Sequence, residues 1–516
     1  MKLNQFLRTV FYLRKRQIYY QLKYRLTHIN YILSTLSKIS NLNCSSIIVK
    51  HKCLQDKEFS FLNIKKPFIS WNDASNGNLW AYNLNYMDWL LQKELSFDEG
   101  AKWIDCFIDD IRSNKVALAP YPTALRGINW IKFISLHYSQ ISQEQLRRWA
   151  DSLYSQYCLL EQRLEFHLLG NHLLEDAYSL FIASLFFEDV NMFKKASRLL
   201  YRELDEQILP DGAHYEQSPM YHCILLDRLL DCYNFSIGNR RFDAQKDLNI
   251  LLREKAQVML GHLNSLIYQD HSIPLLNDSA YGISPCPDEL FDYAVRLAID
   301  WHEIPLKECG YRKLVNGKFE AVVDIGNITA SYQPGHSHAD TFNYELRIKG
   351  KPFVVDTGIS TYDKTPRRQY ERGTSAHNTV TIGGKDSSEV WGGFRVGKRA
   401  KVTILKDKPY EVVAWHNGFG SQGKHFRKFI LEEDGFKVED SVSTNKEAIS
   451  WLHLSPESKI LSYSNELIVT TIGNIDITGA SKVEIADGEV SVEYNRFLAV
   501  KIIKIHFSHK LSYQIV

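Results

Sequence analysis

The hydrophobic periodicity of the sequence changes abruptly near residue 310, and this change limits the folds that the chain can adopt. Between about Asn72 and Ile304, apolar residues recur at i, i+3 and i+4, which predicts a series of amphipathic helices. From Phe319 onward, β-branched residues alternate with polar ones in short segments separated by Gly, Asn and Asp, which predicts strands. A chain of 516 residues also exceeds what one hydrophobic core usually covers. We therefore expect a helical domain followed by a β domain.

The helical segments follow one another without strands between them, which favours an all-α array or toroid. They include Trp80 to Leu91, Gly100 to Ile111, Thr123 to Tyr138, Glu144 to Gln162, His172 to Phe187, Met192 to Gln207, Tyr221 to Phe235 and Leu248 to Ile267. The strands are short and frequent, which is typical of an antiparallel sandwich; examples are Glu320 to Val323, Ile328 to Tyr332, Glu411 to His416 and Phe436 to Val442. The predicted fold class is α+β, with an N-terminal helical extension over 1–70, a toroid over 71–308 and a β-sandwich over 309–516.

The composition excludes several classes of protein. A net charge of +2 and a pI near 8.0 do not support nucleic-acid binding through phosphate neutralisation. The eight Cys contain no CxxC pair and are too sparse for a disulfide scaffold, so we expect reduced thiols. No apolar stretch is long enough for a transmembrane helix, and no signal peptide is visible. We expect a cytoplasmic protein as encoded, or a periplasmic or secreted one if a leader was removed.

The first 33 residues interleave basic side chains, such as Arg14 and Arg16, with aromatic ones, such as Tyr19 and Tyr20. A basic, aromatic helix of this kind could lie on a membrane surface. Its aromatic residues also fit a buried stripe, and we favour a helix that packs on its own domain.

The β half contains the run Gly335-His336-Ser337-His338-Ala339-Asp340, followed by Asp356 and His377. Imidazole and carboxylate are ligand types that zinc prefers. If the run is a strand, His336 and His338 share a face, so one could bind a metal and the other a substrate. Histidines that only cap or pack at strand ends are the competing interpretation.

Two helix entrances in the helical half carry further polar groups. Asn171 is a plausible N-cap, and Glu175 lies at i, i+3 from His172, where its carboxylate can orient the imidazole. Ser218 and Pro219 are typical of an N-cap and first helical residue, which places Tyr215 in the preceding loop. An amide and an imidazole can neutralise a carboxylate while a Tyr or His moves a proton, so this set suits proton abstraction beside a carboxylate. Structural roles for Asn171 and Tyr215 remain the alternative.

The chain resembles the heparinase II/III superfamily of polysaccharide lyases. The resemblance covers nearly the whole chain beyond residue 70 and rests on motifs in the family's order: Trp80-Ala81-Tyr82-Asn83-Leu84-Asn85-Tyr86, Arg126-Gly127-Ile128-Asn129-Trp130, Gly170-Asn171-His172, Asp211-Gly212 with Tyr215-Glu216-Gln217-Ser218, Gly335 to Asp340, Val355-Asp356 with Tyr362, and His377-Asn378-Thr379-Val380. It implies an incomplete (α/α) toroid followed by an antiparallel β-sandwich. It also implies cleavage of a uronic-acid polysaccharide by β-elimination, which leaves a 4,5-unsaturated sugar.

The resemblance implies a catalytic or metal-binding role for each of several residues. Asn171 and His336 would neutralise the C5 carboxylate, and Tyr215 would be the acid toward O4 and, on a syn path, also the base. His172 would be the base on an anti path, supported by Glu175. Three further residues match the ligands of a structural metal: His338, Asp356 and His377. Zinc is the expected ion, with manganese or calcium as alternatives. Asp278 also matches a family position without an assigned role.

Substrate binding is predicted for polar and aromatic residues of the same motifs and of the segments beside them. They are Tyr82, Asn85, Arg126, Asn129, Trp130, Gln217, Tyr221 and Arg368. A basic stretch, Lys364 to Arg372, lies between Asp356 and His377 and could hold a polyanion or be a solvated loop. It favours glycosaminoglycans (hyaluronan, chondroitin sulfate or heparan sulfate) as the partner, with alginate-type polyuronates second. A non-catalytic accessory protein of exopolysaccharide biosynthesis is the alternative from another class.

Overall fold

A computed structural model describes residues 3–27, 29–35, 38–44 and 46–516. The N-terminal part begins with two helices, α1 (Leu3–Phe11) and α2 (Lys15–Leu26). A small antiparallel sheet follows, with β1 (Leu54–Gln55), β2 (Glu58–Phe61) and β3 (Ile64–Pro67). The prediction of a helical extension over 1–70 is therefore wrong for its second half. In β2, buried Phe59 and Phe61 alternate with more exposed Glu58 and Ser60, which is the period of a strand.

The helical half contains nine α-helices among the described residues, and eight of them match the predicted segments to within a few residues. They are α3 (Asn78–Tyr86), α4 (Phe97–Arg112), α5 (Pro120–Leu136), α6 (Gln143–Gln162), α7 (Gly170–Phe187), α8 (Val190–Gln207), α9 (Pro219–Gly238), α10 (Gln245–Leu266) and α11 (Pro287–Arg296). Helices α3, α5, α7 and α9 contact one another in turn, while α4 contacts α6 and α8 contacts α10. This is the two-layered arrangement of an (α/α) toroid.

The layers differ in burial as their sequences predict. Nearly every residue of α7 is buried, because α7 packs against α5, α8 and α9 and its sequence is apolar on all sides. Helices α4 and α8 are amphipathic, with one apolar face packed inward. Ser96, Ser142 and Ser218 cap α4, α6 and α9 by accepting a backbone N–H. Within the described residues, no helix has the length and hydropathy needed to cross a membrane.

The β half is built from antiparallel sheets around a second apolar core. Its elements are β4 (Tyr311–Val315), β5 (Phe319–Asp324), β6 (Tyr344–Ile348), β7 (Lys351–Val354), α12 (Pro366–Glu371), β8 (Val380–Ile382), β9 (Val390–Trp391), β10 (Arg395–Val396), β11 (Val402–Lys408), β12 (Glu411–His416), β13 (His425–Leu431), β14 (Phe436–Val442), β15 (Ala448–His453), β16 (Ile460–Tyr463), β17 (Leu467–Thr470), β18 (Asn474–Thr478), β19 (Lys482–Glu493), β20 (Arg496–Phe507) and β21 (Lys510–Ile515). An eight-stranded sheet has the order β11-β12-β13-β14-β21-β18-β17-β16, and two four-stranded sheets have the orders β19-β20-β15-β8 and β4-β5-β6-β7. The predicted toroid and sandwich are confirmed.

The loop between β5 and β6 carries the histidine run and faces the helical half. The sequence predicts a strand over 328–332, but this stretch is irregular. Its backbone binds side chains instead of a neighbouring strand, since Thr329 N–H donates to Gln217 Oε1 at 3.2 Å and the Tyr332 carbonyl accepts from Gln17 at 3.2 Å. The run 335–340 is likewise a loop, so His336 and His338 do not share the face of a strand.

Candidate active site

A cavity of about 940 Å³ lies between the two halves. Three parts of the chain line it: the helical half, the loops of the β half, and the N-terminal helices α1 and α2. Among the predicted site residues, Tyr82, Asn171, His172, Tyr221 and His336 line this cavity. Cavities of this size are typical of small-molecule sites.

Asn171 and His336 meet at the cavity. Asn171 Nδ2 lies 3.4 Å from His336 Nε2, which joins the helical and β halves as the sequence predicts. Glu216 binds both residues from the protein interior, because it accepts from Asn171 Nδ2 at 3.0 Å and lies 3.4 Å from His336 Nε2. Tyr221 stacks on the His336 ring with centroids 3.8 Å apart. An amide and an imidazole are thus held side by side, facing the cavity.

Glu216 also explains the start of α7. The helix begins at Gly170, so the expected N-cap role of Asn171 is wrong; the Asn171 backbone N–H donates to Glu216 Oε1 at 2.8 Å instead. Gly170 has φ +62°, and a Cβ there would lie 2.5 Å from Glu216 Oε1. Glycine at this position therefore admits the carboxylate that orients Asn171.

Asp278 is the organising carboxylate of the interface. It binds His336 Nδ1 at 2.9 Å, His338 Nε2 at 2.8 Å and both terminal nitrogens of Arg368. Burial opposes its ionisation, but Arg368 and the two histidines outweigh burial and hold the pKa of Asp278 well below its usual range. The contact at Nδ1 leaves His336 Nε2 toward Asn171 and the cavity. Sequence matching marked Asp278 without a role, since its partners are about 60 to 90 residues away in the chain.

Tyr215 lies just behind the cavity surface and is linked to it by a second tyrosine. The Tyr215 hydroxyl is 2.9 Å from the Tyr332 hydroxyl, which donates to Glu206 at 2.6 Å. Because the Tyr332 proton goes to Glu206, Tyr215 is the donor to Tyr332. Burial, with Glu216 and Tyr332, raises the pKa of Tyr215 well above its ordinary value. Tyr332 lines the cavity and was missed because it was assigned to a strand.

His172 lines the cavity but does not pair with Glu175. Its Nδ1 lies 2.9 Å from Glu165 Oε2, in the turn before α7. Burial opposes the charged form, but Glu165 outweighs burial and raises the pKa of His172. The prediction that Glu175 orients His172 is therefore wrong: Glu175 points into the helical core, 3.8 Å from Arg228, and burial raises its pKa to about 7. The i, i+3 spacing along the helix suggested Glu175 as the partner of His172, whereas the observed partner is Glu165.

Six of the predicted substrate-binding residues are buried and bind other parts of the protein. The side chains concerned are Asn85, Arg126, Asn129, Trp130, Gln217 and Arg368. Arg126 donates to Gln156 at 2.8 Å, and Asn129 donates to the Tyr86 carbonyl at 2.9 Å. Arg368 is held by Asp278 and Arg367 by Glu371, so these two cations already have partners; of the basic stretch, only Lys364 lines the cavity. Helix α5 is buried nearly all round, which hides polar residues that a surface helix would expose.

Basic side chains outnumber acidic ones in the cavity lining. Lys50 and Arg228 are paired with Asp88 and Asp227, and Asp363 is a further acidic lining residue. Arg25, Lys364 and Arg395 line the cavity without an ion pair to an acidic residue among the described residues. Two of these free cations were not predicted, because they come from α2 and from the turn at β10, far apart in sequence. Unpaired cations around a cavity attract carboxylate or sulfate groups.

The predicted metal ligands lie close together but are not joined in one set. His338 binds Asp278, whereas His377 Nδ1 binds Asp356 Oδ2 at 2.7 Å; the two imidazole centroids are 5.2 Å apart. His338 Nδ1 and His377 Nε2 are buried without a hydrogen-bond partner. A different buried trio, Asp211, His262 and Cys309, has ligand atoms within 4.8 Å of one another and could hold a metal ion.

That trio already has structural hydrogen bonds. Asp211 Oδ2 accepts the N–H groups of Lys307 and Cys309 at 2.9 Å, and His262 Nδ1 lies 3.1 Å from the Asp211 carbonyl. These bonds connect α10 to the segment that enters β4. The eight cysteines are free; Cys223, Cys232 and Cys309 are buried, whereas Cys286 is exposed.

The fold is a two-layered (α/α) toroid joined to an antiparallel sandwich. The candidate site at their junction contains an amide, an imidazole and a buried tyrosine. Two family models match the chain: "Heparinase II/III N-terminus" over residues 126–286 and "Heparinase II/III-like, C-terminal" over residues 300–515. The chain belongs to the heparinase II/III-like family.

The relatives that it resembles are distant. It is 25% identical over 244 residues to a heparin-sulfate lyase of Pedobacter heparinus, which is 41% of this chain and 36% of that protein. It is 22% identical over 368 residues to a heparin-sulfate lyase of Bacteroides thetaiotaomicron, which is 60% of this chain and 51% of the relative. The matches thus span about a third to a half of the length of these relatives.

Two solved structures show the same fold. A heparinase III superposes with a TM-score of 0.68 at 17% identity, covering 96% of this chain and 88% of that chain. A chondroitin AC lyase from Streptomyces coelicolor superposes with a TM-score of 0.53 at 9% identity, covering 86% of this chain and 74% of that chain.

Proposed function

We propose that the protein is a polysaccharide lyase that cleaves a uronic-acid glycan by β-elimination. The observation that carries this proposal is the pairing of Asn171 with His336 at the surface of an anion-attracting cavity. β-Elimination needs the C5 proton to become acidic, and hydrogen bonds from an amide and an imidazole to the uronate carboxylate stabilise the negative charge that develops there. Membership of the heparinase II/III-like family supports the same chemistry.

Proton transfer is assigned to His172 and to the tyrosine pair. His172 faces the cavity and accepts the C5 proton when its imidazole is neutral. Tyr215 has a raised pKa and stays protonated near neutral pH, which suits an acid toward the departing O4. Tyr332 lines the cavity and Tyr215 does not, so Tyr332 gives its proton to O4 instead of hydrogen-bonding to Glu206 and takes the Tyr215 proton in exchange, which leaves Tyr215 as the phenolate. If His172 is not needed, Tyr215 must serve as both base and acid on the syn path.

Glycosaminoglycans are the proposed substrate class. The curated relatives are heparin-sulfate lyases, and one structural neighbour was solved with chondroitin sulphate. Arg25, Lys364 and Arg395 supply positive charge that sulfate and carboxylate groups require. Alginate carries carboxylates only and is the comparison substrate.

A panel of hyaluronan, chondroitin sulfate, heparan sulfate and alginate tests the proposal through the ultraviolet absorbance of the unsaturated uronate. We expect an increase with at least one sulfated substrate. Asn171→Ala or His336→Ala should lower kcat about 10²- to 10³-fold, and Tyr215→Phe about 10²- to 10⁴-fold. Tyr410→Phe, at an exposed turn of the sandwich, is the matched control. No absorbance increase with any member of the panel would refute the lyase and favour a non-catalytic accessory protein.

We also propose a structural metal ion beside the active site. His338 Nδ1 and His377 Nε2 are buried, unpartnered nitrogens on neighbouring rings, which is the environment that zinc ligands require. Asp356 orients His377 through Nδ1, in the manner of carboxylates that support metal-bound histidines. Asp340 Oδ2 is buried without a partner in the same region and offers a further oxygen ligand. Bound there, the ion would fix the loops that carry His336 and Arg368.

A further inference from the structure

The N-terminal helices α1 and α2 form a pair that spans the two halves of the molecule. On the β side, Trp391 Nε1 donates to Thr9 Oγ1 at 3.1 Å, and the Arg399 guanidinium stacks on Tyr12 at 3.8 Å. On the helical side, the Tyr24 hydroxyl donates to the Leu164 carbonyl at 2.7 Å. The pair therefore crosses from the sandwich to the toroid.

Two polar side chains hold the middle of the α1–α2 pair beside the candidate active site: Gln17, which is buried, and Arg14, which stacks on a tyrosine. Gln17 is only 1% exposed, and its Nε2 donates to the carbonyls of Leu168 at 3.1 Å and Tyr332 at 3.2 Å. Arg14 pairs with Glu206 and lies 3.7 Å above the Tyr332 ring. A buried amide that loses its acceptors costs free energy, so Gln17 favours the docked position of α2 over a detached one.

The inner faces of both helices line the cavity. Phe6, Val10 and Leu13 recur at helical spacing along α1 and the following turn, and Gln17, Gln21 and Arg25 recur at i+4 along α2. Tyr332, which contacts Arg14 and Gln17, lines the same cavity. These six side chains therefore form a wall next to the tyrosine pair.

We propose that this wall closes one end of the cleft, so that the enzyme acts on short oligosaccharides and chain ends rather than on internal bonds of a long polymer. This inference rests on the proposed lyase function. An internal bond can reach the active site only if the glycan leaves the cleft on both sides of the scissile bond. The helix pair joins the two halves on the side of Tyr215 and Tyr332, and the remaining cavity of about 940 Å³ has the size of a small-ligand site.

Arg25 gives the wall a chemical role as well as a steric one. It is exposed on the last turn of α2, lines the cavity and has no acidic partner among the described residues. A guanidinium at the closed end binds a terminal carboxylate or sulfate. Removing it should therefore weaken binding of short substrates without changing the reacting groups.

The test compares viscosity with absorbance for the full-length protein on its best polymeric substrate. We expect absorbance to increase while viscosity stays nearly constant, with small unsaturated products from the earliest time points. Size-defined oligosaccharides should have a kcat/KM at least tenfold above that of the polymer, and Arg25→Ala should raise KM for them several-fold with kcat little changed.

Phe6→Ala/Val10→Ala opens the wall without touching Arg14, Gln17 or Tyr332. In this variant we expect the loss of viscosity per bond cleaved to increase several-fold. Lys15→Ala, on the outside of α2, is the control and should behave as wild type. Long products and rapid viscosity loss with the wild-type protein would overturn the end-acting mode while leaving the lyase intact. An absence of unsaturated product from every substrate would refute the lyase and this inference with it.

Discussion

The proposed role of His172 predicts a pH dependence of kcat that distinguishes the anti path of elimination from the syn path. As the base, it must be neutral, so kcat should fall as the pH drops through its pKa. Glu165 raises that pKa, and Glu165→Gln should therefore move the acidic limb of the kcat profile to lower pH. Glu161→Gln, in the last turn of α6, is the control and should leave the limb in place.

A limb that does not move in Glu165→Gln would contradict the role of His172. Combined with loss of activity in Tyr215→Phe, that result would assign both proton transfers to the tyrosine pair. The measurement needed is a kcat profile between about pH 5 and 9 for the three proteins.

Asp278 is a positioning residue, and its replacement should affect both stability and activity. In Asp278→Asn, His336 loses the carboxylate at Nδ1 and Arg368 is left buried without a counter-charge. We expect a fall in kcat of about 10- to 100-fold, together with a lower melting temperature. Asp288→Asn, at an exposed carboxylate in the first turn of α11, is the control. A lower melting temperature with normal kcat would leave Asp278 a structural role only.

The residues with a proposed chemical role could be predicted from short motifs, whereas the hydrogen bonds and ion pairs that position them could not. Asn171, His172 and His336 were identified because each lies in a distinctive local run. Glu216 belongs to one of the motifs but had no predicted role, because its contacts to Asn171 and His336 depend on the approach of α7 and the β5–β6 loop. Arg368 was assigned to substrate because nothing local reveals its pairing with Asp278.

At the scale of elements, strands β13 and β14 are joined by a buried network that predicts acid sensitivity. Asp440 binds Arg427 at 2.7 Å and His425 at 2.8 Å. Burial opposes its ionisation, but Arg427 and His425 outweigh burial and hold the pKa of Asp440 well below its usual range. A depressed carboxyl pKa gives stability that is complete above the unfolded value, about 4, and is lost as the pH falls below it.

Asp440→Asn should therefore lower the free energy of unfolding by about 3–5 kcal/mol at neutral pH, because it leaves Arg427 buried without a counter-charge. The difference from wild type should shrink as the pH falls below about 4. Urea unfolding at several pH values measures this, with Glu439→Gln on the same strand as the control. Equal stabilities of Asp440→Asn and Glu439→Gln at neutral pH would contradict the assignment.

Elements were predictable where their periodicity was long and regular. Helices α4, α6 and α8 are amphipathic and begin at Ser or Asp caps, so the sequence shows both their face and their first turn. Strands β1 to β3 are two to four residues long and were missed, because so few residues do not establish a period. The predicted start of α7, His172, lies two residues after the observed start, Gly170, since Glu216 from another segment binds the first turn of the helix.

For the whole molecule, the order of toroid and sandwich followed from one change in periodicity, but the junction between them did not. The two halves meet through Asp278, which contacts His336, His338 and Arg368, and through the α1–α2 pair. Both connections consist of contacts between residues far apart in sequence. The candidate site therefore depends on the docking of the two halves, and agents that loosen the junction should reduce the proposed activity before either core unfolds.

A metal ion at His338 and His377 would strengthen this junction, because His338 also binds Asp278 of the helical half. Elemental analysis of purified protein should find about one transition-metal ion per chain. A chelator should remove it and lower the melting temperature, since a ligand that binds only the folded state stabilises that state. His377→Ala should abolish the bound metal, whereas Cys309→Ser should retain it. The reverse result would place the ion at Asp211, His262 and Cys309, and metal-free wild-type protein would leave the buried nitrogens of His338 and His377 as packing features.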